Sequence, residues 1–288
     1  MYASYHNHTP LCRHATGSPR EYVEEAIRGG FSVLGFSDHT PYFYDGDYYP
    51  SGVKMRPEEM DTYVDTILAL KKEYASDIRI HLGLEIEYYP KYFGRLMEFL
   101  SQYPFEYFLL GQHNLGNEIR EDGTQDYSAF RKTNDERQLA RYVDQCIEGL
   151  ETGYFDCFAH PDVIHFIGDT TLFEKHMRRL ARRSKELDIP LEINLQGLIE
   201  GRHYPNMDFW PIAGEIGNEV IFGADAHKLG RICDRAAIRL AEEMAAKYHL
   251  NVIGDLENRI AGKSSNGLQN AAAESISWLQ NDAAERER

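Results

Sequence analysis

The chain has 288 residues, a length that suits one large domain or two modest ones, and barrels and other α/β enzymes favour one. Hydrophobic residues make up 42% and charged residues 27%, the balance of a soluble globular protein with a sizeable core. Thirty-one Lys and Arg against 46 Asp and Glu give a net charge of −15, which argues against sequence-blind binding to nucleic acid or an anionic membrane.

Seven short runs read as β-strands: Tyr2–His8, Val33–Asp38, Ile78–Glu87, Tyr107–Gln112, Phe155–Ala159, Leu191–Leu195 and Val220–Ala224. Helical stretches fall between them. Ser18-Pro19-Arg20-Glu21 has the spacing of a capping box with Pro at the first helical position, and Gly29-Gly30 closes that helix. Arg56–Ala75 carries Met60, Val64, Ile67 and Leu68 at helical spacing. Lys91–Ser101, Asp135–Glu151, Thr171–Leu187 and Arg231–Tyr248 are comparable. The segments Asp38–Arg56 and Asn117–Asn134 read as long loops, and the polar stretch 263–288 reads as a tail beyond a single domain spanning 1–262. Strands alternating with helices predict a parallel sheet, open or closed into a barrel.

The four cysteines (Cys12, Cys146, Cys157, Cys233) are widely spaced and form no C-x-x-C; they read as reduced thiols of a cytoplasmic protein. No apolar run approaches the ~20 residues that cross a bilayer, and the first ten residues lack the basic and apolar regions of a secretory signal.

The histidines give this skeleton its chemistry. His6 and His8 stand two apart on the first run, so their side chains leave one face. His14 follows in the next loop. His39 follows the second run, Glu85 lies near the end of the third, His113 ends the fourth and His160 the fifth, while Asp225 and His227 end the seventh. In parallel α/β folds the C-terminal strand ends share one rim, where active sites are built. Imidazole and carboxylate are donors for Zn²⁺, Fe and Mn²⁺. Nine such donors are too many for one ion and suit two or three. His81, His165, His176, His203 and His249 read as surface or satisfied core residues. A structural zinc site is a poor alternative, because such sites are usually Cys-rich and closed.

In order, His6-x-His8, HTPLCRH ending at His14, Asp38-His39, GLEIEY with Glu85, GQH with His113, AHPD with His160 and GADAH with Asp225 and His227 resemble the motifs of the PHP (polymerase and histidinol phosphatase) family of metal-dependent phosphoesterases. The resemblance runs from about residue 4 to residue 260 and is most like the stand-alone histidinol-phosphatases of that family. It implies a distorted (β/α)7 TIM-like barrel and three divalent ions, Zn, Fe or Mn. His6, His8, Glu85 and Asp225 would hold the first ion, Glu85, His113 and His160 the second, and His14, His39 and His227 the third. Glu87 is expected beside the ligands rather than among them. Catalysis would turn on Glu85, Asp225 and His8, with hydroxide bridging the two ions that share Glu85 attacking a phosphate monoester. The partner implied is a small phosphate ester, with no nucleic acid and no membrane; oligomeric state is left open.

The chain departs from the family in one place. Ile199-Glu200 follow the EINLQGL motif where basic residues are common, which leaves Arg202 and Arg13 as candidate substrate contacts or solvated surface charges. Tyr42, Phe43 and Tyr44 could wall a small ring or simply pack their loop. The rival readings are a PHP phosphatase acting on nucleotides or another small ester, a polymerase-associated PHP exonuclease, a metal-dependent C–N or C–O hydrolase, and a metal-binding protein without catalysis.

Overall fold

A computed structural model describes residues 3–44, 52–119 and 124–262; the polar tail and the middle of the expected 38–56 loop lie outside the described residues. The strands are β1 (Ala3–Ser4), β2 (Val33–His39), β3 (Arg79–Ile86), β4 (Tyr107–Leu110), β5 (Asn114–Ile119), β6 (Gln125–Ser128), β7 (Cys157–Phe158), β8 (Leu191–Asn194), β9 (Glu219–Gly223) and β10 (Asn251–Val252). The helices are α1 (Pro19–Arg28), α2 (Met60–Glu73), α3 (Phe93–Leu100), α4 (Glu136–Glu151), α5 (Thr170–Glu186), α6 (Leu195–Glu200), α7 (Trp210–Ile216) and α8 (Arg235–Lys247). Local chemistry sets several of their ends. Ser18 and Glu21 cap each other at the start of α1, and Asp135, Asp169 and Asp234 accept from the first free N–H groups of α4, α5 and α8.

One parallel sheet runs in the order β1-β2-β3-β4-β7-β8-β9-β10. Past its hydrogen-bonded end, β1 bends across to the chain leaving β9. Asn7 bridges Ala226, His8 N–H donates to the Ala226 carbonyl at 3.1 Å, and Ala226 N–H donates to the His6 carbonyl at 3.4 Å. The seven runs expected from sequence thus meet around a distorted barrel closed at its C-terminal rim. β10 pairs with the start of β9 at the opposite end.

Strand alternation sorts side chains into two cores. Phe36, Ile80, Leu82, Leu84, Phe108, Leu110, Phe158, Leu191, Ile193 and Phe222 point out under the helices and share one apolar cluster with them. Val33, Tyr107, Leu109, Cys157, Ala159 and Ile221 point inward with Ala3 and Tyr5 and fill the barrel. Continuing the inward parity toward the C-terminal ends gives Ser37, His39, Glu85, Glu192, Asn194 and Asp225. The barrel is therefore largely apolar inside, with His81 at its lower end, and rich in ionisable groups at the rim.

Some boundaries differ from expectation. Asn117–Asn134 is not one loop: β5 and β6 pair antiparallel as a hairpin. Its residues are too polar to read as a strand pair, and it lies outside the main sheet. Leu195 opens α6 rather than ending a strand, since the Asn194 side chain accepts from Gly197 N–H and starts the helix. The short α6 and α7 and the two-residue β10 carry too little periodicity to be read from sequence.

Candidate metal centre

Glu85, at the inner face of β3, sits among five imidazoles. Its Oε2 lies 3.3 Å from His6 Nε2, 3.6 Å from His8 Nε2 and 2.9 Å from His39 Nδ1. Its Oε1 lies 2.9 Å from His160 Nε2 and 3.5 Å from His113 Nε2. Asp225 Oδ1 is 3.1 Å from His8 Nε2, 3.3 Å from His227 Nδ1 and 3.6 Å from His6 Nε2. His14 completes the group, its ring centre 4.4 Å from that of His227 and 5.5 Å from that of His39. All nine candidate ligands thus fall on one rim. His160 (φ 31°) and Asp225 (φ 47°) adopt the left-handed backbone that non-glycine residues rarely occupy, a cost that tends to be kept at functional sites.

The donors group within 4.8 Å as His14–His39–His227, His6–His8–Glu85, His39–Glu85–His113, His6–His160–Asp225 and His8–Cys12–His227. The first of these is the set expected for the third ion. The other expected sets interleave, with His39 facing Glu85 and His160 facing Asp225. Cys12 is buried beside two of the imidazoles, and burial pushes its thiol above the ordinary cysteine range.

Carboxylates and carbonyls behind the imidazoles orient them. His6 Nδ1–H donates to Glu192 Oε2 at 2.7 Å, and Glu192 Oε1 accepts from Asn194 at 3.0 Å. His113 Nδ1–H donates to Glu87 Oε1 at 2.8 Å, and His8 Nδ1 faces Asp38 Oδ1 at 3.4 Å. His14 and His227 donate to the carbonyls of Cys12 (2.8 Å) and Asp225 (3.0 Å). Each bond fixes a tautomer and turns the other ring nitrogen into the cluster. Glu87 therefore stands behind a candidate ligand, as expected. Glu192, unnoticed in the sequence, has one legible signal: a glutamate at inward parity in a buried strand. Gly111 and Gly223 make room, because a Cβ at either would fall on the carboxylate of Glu85 or Glu192.

The buried His6 Nε2, His8 Nε2, His227 Nε2, His160 Nδ1 and Glu85 Oε2 have no hydrogen-bond partner. A buried polar atom left unsatisfied costs about 1–3 kcal/mol, and five at one rim fit an arrangement made for cations. The donor set, imidazole nitrogen with carboxylate oxygen, suits divalent zinc, iron or manganese. The residues fit the ions.

The same crowding shifts the acid–base behaviour. Burial alone would raise the Glu85 carboxyl, but His39, His6 and His113 hold it well below its ordinary range. Burial pulls His6 and His8 down, yet Glu192, Asp225 and Glu85 raise His6 well above its usual value, and the nearby carboxylates of Asp225 and Asp38 hold His8 up at about 9. Burial and neighbouring imidazoles push His39 down to about 4 and His227 to about 2.

The remaining candidates lie around this rim. Arg202 donates to the Tyr204 hydroxyl at 2.6 Å and to Glu200 at 2.8 Å, and the Tyr204 ring is 5.9 Å from that of His160. Arg13 forms an ion pair with Glu59. Phe130 lies parallel to His113, ring centres 5.8 Å apart, with His203 at its edge. Tyr42 and Tyr44 pack on Tyr89 and Tyr92, and Phe43 on Phe99, so these aromatics hold their loop against the barrel.

A parallel barrel whose C-terminal rim carries nine metal-type donors defines a metal-dependent hydrolase architecture. The PHP domain model matches residues 4–196, and the chain belongs to that family. It is 29% identical over 242 residues to a Deinococcus radiodurans protein named "Probable histidinol-phosphatase", covering 82% of this chain and 90% of that one. It is 27% identical over 265 residues to the histidinol-phosphatase of Bacillus subtilis, covering 79% and 94%. The crystal structure of histidinol phosphate phosphatase from Lactococcus lactis, complexed with zinc, L-histidinol and phosphate, shares the fold with a TM-score of 0.67 at 20% identity, over 88% of this chain and 95% of that one.

Proposed function

We propose that this protein is a metal-dependent phosphomonoesterase whose substrate is L-histidinol phosphate, cleaved with water to L-histidinol and phosphate. The observation that carries this reading is Glu85, with five imidazole nitrogens between 2.9 and 3.6 Å of its two oxygens. One oxygen faces His6, His8 and His39 and the other faces His113 and His160, the layout of a carboxylate that two cations share. His6, His8, Glu85 and Asp225 would hold one ion, Glu85, His113 and His160 a second, and His14, His39 and His227 a third. Divalent ions bound there supply water activation near neutral pH and neutralise charge on the phosphoryl group.

The chain's own residues do the rest. Glu192, Glu87 and Asp38 lock the tautomers of His6, His113 and His8, so their free nitrogens stay aimed inward. Glu85 and Asp225 remain ionised across the physiological range because the imidazoles around them favour the charged form. Arg202, which pairs with Glu200 and holds Tyr204 next to His160, and Arg13, which pairs with Glu59, are the two arginines offered to the anion. The relatives named above support histidinol phosphate as the organic partner. Four free thiols and the lack, among the described residues, of any helix long and apolar enough to cross a membrane fit a cytoplasmic enzyme.

The test is phosphate release from L-histidinol phosphate against a panel of nucleotides and sugar phosphates, on metal-quantified protein. A preference for histidinol phosphate of tenfold or more in kcat/KM is expected. Preference for a nucleotide would discard the histidinol assignment and keep the phosphatase.

A further inference from the structure

Between β2 and α2, Lys54 is only 4% exposed, a rare place for an ammonium group. Its Nζ donates to Glu118 Oε2 at 2.8 Å and to Glu87 Oε2 at 3.0 Å, and lies 5.1 Å from the Tyr89 ring centre and 5.3 Å from that of Tyr42. Burial alone would lower its pKa, but the charges of Glu118 and Glu87 more than reverse this, so it is a buried cation. The two carboxylates come from separate elements, Glu118 from β5 and Glu87 from the residue after β3.

Glu87 divides its oxygens between Lys54 and His113, while Asn114 Nδ2 lies 3.3 and 3.5 Å from Oε1 and Oε2. Oε2 takes Lys54, while Oε1 accepts both the backbone N–H and the Nδ1–H of His113, each at 2.8 Å. The remaining His113 nitrogen, Nε2, faces Glu85 Oε1. A carboxylate held at one oxygen by a fixed cation cannot rotate, so its other oxygen stays on the imidazole.

We propose that Lys54 is a positioning residue of the metal centre: by holding Glu87 Oε2 it keeps Oε1 on His113 and keeps His113 Nε2 turned toward Glu85 as a donor for a divalent ion. The inference rests on His113 being a metal ligand, as proposed above. The rival role for Lys54 is charge balance alone, offsetting two buried carboxylates while it pins the loop and the hairpin together.

The experiment titrates metal-stripped protein with Zn²⁺ against a competing chelator and follows thermal unfolding in parallel. The variants are Lys54→Met, Lys54→Met/Glu118→Gln and His113→Ala. Lys54→Met should weaken the binding of at least one ion by about 10–100-fold and lower the Tm. The double variant restores the cluster's net charge but not the grip on Glu87. Its Tm should return toward wild type while zinc binding stays at least about tenfold weak. Wild-type zinc affinity in the double variant would overturn the proposal, and that comparison decides the matter even where Lys54→Met alone fails to fold. Full affinity in His113→Ala would instead remove the ligand assignment beneath it; weak affinity there, with a wild-type double variant, overturns the role of Lys54 alone.

Discussion

His81 and Glu85 stand four residues apart on the inner face of β3, and each joins an imidazole–carboxylate cluster, partly exposed around His81 and buried around Glu85. At the lower end, His81 engages Glu106 Oε1 through Nδ1 at 3.0 Å and Glu257 Oε1 through Nε2 at 2.7 Å, with Tyr5 stacked on its ring. Both of its nitrogens are spent on protein. At the rim, His6, His8 and His227 spend one nitrogen on a carboxylate or carbonyl and leave Nε2 without a partner around Glu85 and Asp225. Residue types do not separate a structural histidine cluster from a ligand site here; saturation does. A saturated cluster holds the fold together, and an unsaturated one awaits cations.

Substitutions at the two ends should therefore behave oppositely. Glu85→Gln gives the largest effect. Losing the carboxylate among five imidazoles should cost several kcal/mol of transition-state stabilisation, on the order of 10³-fold in kcat, and reduce bound metal while circular dichroism stays native. A fully metallated, active Glu85→Gln protein would break the distinction. Glu192→Gln reaches the centre through His6, and should cost about 10–100-fold in metal affinity, read by chelator competition; an unchanged affinity would mean that His6 needs no orienting partner.

The pH dependence is the next largest effect. In the metal-free protein His8 is held up at about 9, above its ordinary 6.5. The imidazolium thus contributes stability that is fully present below pH 6.5 and lost as pH rises through about 9. The Tm of chelated protein should fall across that window. Divalent ions must displace the same proton, so their affinity should climb with pH over the same window, with protons released on binding. Calorimetry in buffers of different ionisation enthalpy measures this directly, and proton-neutral binding at pH 7 would contradict it. The smallest effect on chemistry belongs to His81→Gln. It should leave metal content and kcat/KM unchanged while costing about 1–3 kcal/mol of stability, seen as a lowered Tm.

Much of this architecture is legible in the sequence, for a physical reason. Period-two alternation marks the inner face of a strand, so a His or carboxylate at inward parity at a strand's end must reach the rim. That rule puts His39, Glu85, His113, Asp225 and His227 together; His160 falls on the outward parity of β7 and joins them through its left-handed backbone. What stays hidden depends on contacts across the barrel. Glu192 reads as any polar residue of a short strand until His6 is seen against it. Lys54 reads as a loop charge until Glu87 and Glu118 are seen around it. The β5–β6 hairpin escapes because its residues, NLGNEI and QDYS, carry too few apolar side chains to alternate. His81 separates correctly from the ligands on sequence, but its saturation by Glu106 and Glu257 is visible only in three dimensions.

The central claim is that the rim of the barrel is a working metal centre for phosphate-ester hydrolysis. The most direct test strips the protein of metal, returns Zn²⁺ or Mn²⁺ in measured steps, and follows ions bound per chain against phosphate released from L-histidinol phosphate. The account predicts no turnover without metal, and activity that rises with occupancy until the rim is filled. Undiminished turnover by metal-free protein, or silence from fully metallated protein on every phosphate ester, would contradict it.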